Sequence, residues 1–163
     1  MKLKIENGFT LIELILVFSM IGIISVFGIA SFISYNKSQT LNTAVSDVTA
    51  MLNLAKSRAS SQFKPTGGNC DSRPLDGYQV VFTTTTYSLN AICGVSFDPL
   101  TNPAKTLPPP FRFDAGRTFL FHTLSGGVEC TPILCSTPIT INGYSGQTPK
   151  TITVYADGRI VTN

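Results

Sequence analysis

The sequence predicts an α+β protein: a long N-terminal helix, transmembrane in its first half and amphipathic in its second, packed on an antiparallel β-sheet head. Three observations predict it. No charged residue lies between Glu13 and Lys37, apolar residues recur on one side only beyond Tyr35, and short strand-like runs separated by turn residues fill the chain after Asn69. The 163 residues suffice for one domain with an appendage. The expected divisions are a short basic segment at 1–8, a transmembrane helix at 9–35, its amphipathic continuation at 36–66 and an extracytoplasmic β-rich head at 67–163.

The stretch 14–33 holds the ~20 mainly apolar positions that a ~30 Å hydrocarbon core requires. Lys2 and Lys4 precede it and only Lys37 follows closely, so the positive-inside bias expects a single-pass inner-membrane protein with a cytoplasmic N-terminus and an outer head. A buried helix of a soluble core rarely needs so long an uncharged run. A secretory signal peptide is shorter in its apolar part and carries no residue like Glu13 there.

From Leu41 the pattern Leu41, Ala44, Val45, Val48, Leu52, Ala55 and Ala59 steps by three and four, the signature of one buried helix face. Pro65 and Gly67-Gly68 are expected to end the helix near Gln62. The strand-like runs are 78–83, 86–92, 118–122, 138–142, 151–155 and 159–161, and Asp157-Gly158 is a hairpin signal between the last two. Pro108-Pro109-Pro110 reads as a stiff surface loop, without the repetition of a proline-rich ligand.

Thr10-Leu11-Ile12-Glu13 has the spacing of a capping box, with Phe9 and Leu14 as a flanking hydrophobic staple. The whole run Gly8-Phe9-Thr10-Leu11-Ile12-Glu13-Leu14 resembles the processing site of type IV pilins and type II secretion pseudopilins at every position. That resemblance implies the pilin fold and a structural subunit, a minor pilin or pseudopilin. It implies that 1–8 is a cytoplasmic leader and 9–35 an assembly stalk, with cleavage between Gly8 and Phe9 by a prepilin peptidase, N-methylation of Phe9, and pairing of Glu13 with the new amino group of a neighbouring subunit. The implied partners are that peptidase and methylase, other pilin or pseudopilin subunits, the inner-membrane assembly platform and the inner membrane itself; the implied destination is a pilus or periplasmic pseudopilus. Many members carry a kinking proline where this chain has Ala30, so a fixed kink is not expected. The stretch Leu52-Asn53-Leu54-Ala55-Lys56-Ser57-Arg58-Ala59 and the closing hairpin at 151–161 are similar, more weakly, to minor pseudopilins of the GspH/FimT-like group.

The four cysteines, Cys70, Cys93, Cys130 and Cys135, all follow the apolar run, and their spacing lacks the close pairs of a zinc site. Three connectivities are open; Cys70–Cys93 and Cys130–Cys135 are preferred, the latter as a short loop turned by Pro132. His122, the only histidine, lies in an aromatic run without a nameable catalytic partner. No phosphate-binding glycine loop, nucleophile elbow or carboxylate pair is present, so neither enzyme activity, nor a metal, nor a cofactor is expected. The alternative function is a pilus-surface binding module for DNA uptake or adhesion, with Arg112, Arg117, Lys150 and Arg159 as a basic patch if the fold gathers them.

Overall fold

Helix α1 runs Leu11–Ser60 in the computed structural model, which describes residues 10–66, 70–94, 96–99 and 104–163, apart from the side chains at 26–28, 30 and 96–99. The expected leader 1–8 with Lys2 and Lys4, the cleavage pair Gly8 and Phe9, and Gly67-Gly68 lie outside the described residues. The chain divides into two compact units, Met1–Gln39 and Thr40–Asn163, so the second part of α1 belongs with the sheets.

Thr10 caps the helix. Its carbonyl accepts the Glu13 and Leu14 amides, both at 3.2 Å, and its Oγ1 faces the Glu13 amide at 3.4 Å, so orphan donors of the first turn are met locally. Ser19 and Ser25 donate their hydroxyls to the carbonyls of Ile15 and Ile21, four residues back, which settles polar groups inside an otherwise apolar stretch.

The membrane-spanning assignment of residues 9–35 does not hold. Among the described residues no helix is long and apolar enough to cross a membrane. Beyond residue 35 α1 is broken by Asn36, Lys37, Gln39, Asn42, Asp47 and further polar positions, so its 50 residues do not form one apolar span. The transmembrane half of the expected fold and the single-pass inner-membrane location are corrected accordingly; the α+β class with antiparallel sheets stands.

At its other end α1 stops earlier than Pro65 and the glycines require. The Gln62 amide reaches the Ala59 carbonyl at 3.2 Å and the Phe63 amide reaches that of Arg58 at 3.1 Å, with Gln62 in the left-handed region at φ 52°. This is the Schellman pattern, with glutamine where glycine is usual. Tyr78 donates its hydroxyl to the Phe63 carbonyl, which fastens the exit from the helix to the first strand.

Among the described residues ten strands follow: β1 Gly77–Phe82, β2 Thr86–Cys93, β3 Ser96–Pro99, β4 Lys105–Thr106, β5 Arg112–Phe113, β6 Arg117–His122, β7 Val128–Thr131, β8 Ile139–Asn142, β9 Lys150–Val154 and β10 Ile160–Thr162. They form an antiparallel sheet in the order β3-β2-β1-β6-β7, with β4 also on β2, and a second in the order β10-β9-β8-β5. Strict alternation of buried and half-exposed residues on β2 and β6 places one face of the first sheet inward. Phe82 and Tyr87 of that sheet meet Phe113 of the second, with Phe82 and Phe113 edge-to-face at 5.1 Å, and Phe119 packs edge-to-face on Phe82 at 5.8 Å. Both sheets and the 41–59 face of α1 share one core, including Val48, Leu52, Val80, Ile139, Ile141 and Ile152.

The last hairpin follows the sequence expectation. Asp157 Oδ1 accepts the Arg159 amide at 2.9 Å, Gly158 takes φ +78°, and Ile160 pairs with Val154. The prolines at 108–110 are exposed, closed as a turn by the Phe111 amide on the Pro108 carbonyl at 3.0 Å.

Candidate functional site

The residues with a functional expectation fall into separate places. In the first unit, every described side chain from 11 to 25 is exposed, and most are large and apolar: Leu11 and Ile12 are 77% and 74% accessible and Ile24 is 70%. Glu13 sits in the first turn of α1, where its carboxylate also complements the helix dipole. The Thr10 half of the capping box is formed, while the Glu13 carboxylate makes no hydrogen bond among the described residues. Gly8 and Phe9, the other two residues of the expected processing and assembly signal, lie outside the described residues.

Cys70 is bonded to Cys93 and Cys130 to Cys135. The first bridge is wholly buried and joins the segment after α1 to the end of β2; the second closes a short loop beyond β7 and is partly exposed. No group of three or more histidine, cysteine or acidic side chains among the described residues could hold a metal ion.

His122 lies at the end of β6 with its Nε2 3.5 Å from Glu129 on β7, a half-exposed pair on a sheet surface. The four cations do not assemble. Arg117 is buried, its Nη1 donating to the Thr137 carbonyl at 2.7 Å and its Nη2 3.6 Å from Asp114. Arg112 stands opposite the exposed Asn142, whereas Lys150 stands opposite the buried Ile141, so the two leave opposite faces of the second sheet. Arg159 lies over the Tyr155 ring at 4.0 Å and beside Asp157.

One feature of the second unit was missed from the sequence: an open groove lined by Asn42, Val45, Ser46, Thr49, Ala50 and Asn53 of α1 and by Thr162 of β10. The signal was present as the polar series Asn42, Ser46, Thr49 and Asn53, stepping by four, three and four beside the apolar stripe.

No protein-family model matches the chain, and neither the curated proteins nor the solved structures include a match to it.

Proposed function

We propose that this chain is a fibre subunit, a minor pilin or pseudopilin of a type IV pilus or type II secretion system, trimmed between Gly8 and Phe9 and assembled through α1. The observation that carries the reading is the Gly8-Phe9-Thr10-Leu11-Ile12-Glu13-Leu14 run at the head of a helix whose described side chains at 15–25 are all exposed and mostly apolar. Monomers rarely leave so much contiguous apolar surface uncovered, and such surface marks an interaction site. Equivalent helices of neighbouring copies cover it in this reading. A heterologous contact of that kind does not close on itself and therefore propagates as a helical filament.

Glu13 sets the register. In a bundle of apolar helices its carboxylate needs a cation, and the amino group freed at Phe9 of the adjoining subunit supplies one; either charge left alone costs about 3–5 kcal/mol. Subunits that are uncut, or that lack the carboxylate, lack the pair. The dispersed cations give the DNA-binding alternative no support.

The test uses the full chain in its native host. Gly8→Ala is expected to block trimming, and Glu13→Ala to allow trimming but prevent entry into fibres, both read by immunoblot of cell and sheared-fibre fractions. Normal processing and incorporation of both variants would remove the reading.

A further inference from the structure

The second sheet has an edge beside α1. β10 is its terminal strand, paired on one side with β9 and, among the described residues, with nothing on the other. The Asn163 amide and carbonyl are exchanged with those of Thr151 at 2.9 and 2.8 Å, and the Tyr155 amide reaches the Arg159 carbonyl at 2.9 Å. Antiparallel alternation then turns residues 159, 161 and 163 toward β9 and directs the amides and carbonyls of Ile160 and Thr162 outward. These are the groups a further strand would use.

Beside that edge lies the open groove of about 430 Å³ between Thr162 and the Asn42–Asn53 face of α1. Thr162 pairs with the buried Ile152, so its side chain is on the sheet face directed at the core, and the groove continues that face past the last strand. Val45 and Ala50 offer a small apolar floor; Asn42, Ser46, Thr49 and Asn53 offer hydrogen-bonding side chains. None of the lining residues is charged.

We infer that this edge and groove form a β-augmentation site, which takes an uncharged extended segment of a partner protein as an added strand on β10. The backbone groups of Ile160 and Thr162 supply the ladder, and the groove receives the alternate side chains that face α1. A segment matching the length of β10 and its end is about four residues, or ~13 Å. The absence of charge in the lining selects against Lys, Arg, Asp and Glu at the inward positions, because a buried unpaired charge is costly. Small and β-branched residues, Thr, Ser, Val and Ala, fit best. The site does not depend on whether the chain enters a fibre.

The experiment follows amide hydrogen exchange in the full chain, with the pentapeptide acetyl-Thr-Val-Thr-Val-Thr-amide as the probe. Saturating peptide is expected to slow exchange at Ile160 and Thr162 by about tenfold or more, while Val161, already bonded to β9, changes little. Thr162→Pro removes an outward donor without touching the β9 ladder, a position where an edge strand tolerates proline, and is expected to abolish the protection at unchanged Tm. Ala50→Arg, which fills the groove, is expected to do the same. The inference is overturned if the peptide leaves both amides unprotected, if an N-methylated peptide protects equally well, or if neither substitution matters. Protection that appears without peptide and grows with protein concentration would also overturn it, assigning the edge to a second copy.

Discussion

Tyr78 illustrates how single residues tie this molecule together. Its ring is buried in the core and its hydroxyl donates to the Phe63 carbonyl, just past the helix end that Gln62 turns in the left-handed region. Arg58, whose guanidinium lies 5.6 Å over the Phe63 ring, faces the same junction. Burial pushes the Tyr78 phenol above its ordinary value of 10.0, and the Arg58 charge opposes part of that rise. Because the folded state holds this proton more tightly than the unfolded chain, the contribution is complete below pH 10 and is lost as pH rises through the raised value. Tyr78→Phe is therefore expected to cost about 1 kcal/mol at neutral pH, by leaving a carbonyl without its donor, and to flatten part of the alkaline loss of stability. Urea titrations at neutral pH and above pH 10 check both; an alkaline limb identical to that of the unaltered chain would exclude Tyr78 as a source. Tyr87, also raised by burial and then by Asp47, keeps its own share in the variant.

At the scale of elements, the two disulfides act on different seams. Cys70–Cys93, with a sequence separation of 23, ties the helix exit to β2 inside the core; Cys130–Cys135, with a separation of 5, holds a surface loop. Loop-closure entropy gives the first about 3 kcal/mol and the second about 2 kcal/mol. The paired Cys70→Ala, Cys93→Ala variant is thus expected to melt well below the paired Cys130→Ser, Cys135→Ser variant by calorimetry, the reverse order contradicting the assignment of the core seam. The seven periodic residues from Leu41 to Ala59 are all buried, because their spacing alone defines a face; Met51, off that series, joins them only through the fold. The longer strands were legible within one or two residues for the same reason. β4 and β5 have two residues each and exist only through their pairing with β2 and β8, so no local pattern marks them. β7, Val128–Thr131, is too short at four residues for its alternation to mark it and is held as a strand by β6. The groove escaped notice because polar residues on a helix ordinarily signal solvent, and only the position of β10 gives them a floor and an edge.

For the whole molecule, the apolar first unit and the β-rich second unit divide the work of the proposed subunit. The first presents exposed aliphatic and aromatic side chains around Glu13, and the second carries a closed core with its own surface features. The expectation that read the apolar run as a membrane span took length and composition as sufficient; among the described residues no helix is long and apolar enough to cross a membrane, and the described side chains at 11–25 are exposed. In the fibre-subunit reading everything begins with one covalent event, the release of Phe9 as a charged terminus for Glu13 to meet. The most direct measurement is the intact mass, with N-terminal fragment sequencing, of the chain recovered from its native host. The expected product begins at Phe9 and carries one methyl group on its amino nitrogen. A chain that retains residues 1–8, or one cut within the apolar run after Ala30, would contradict the account.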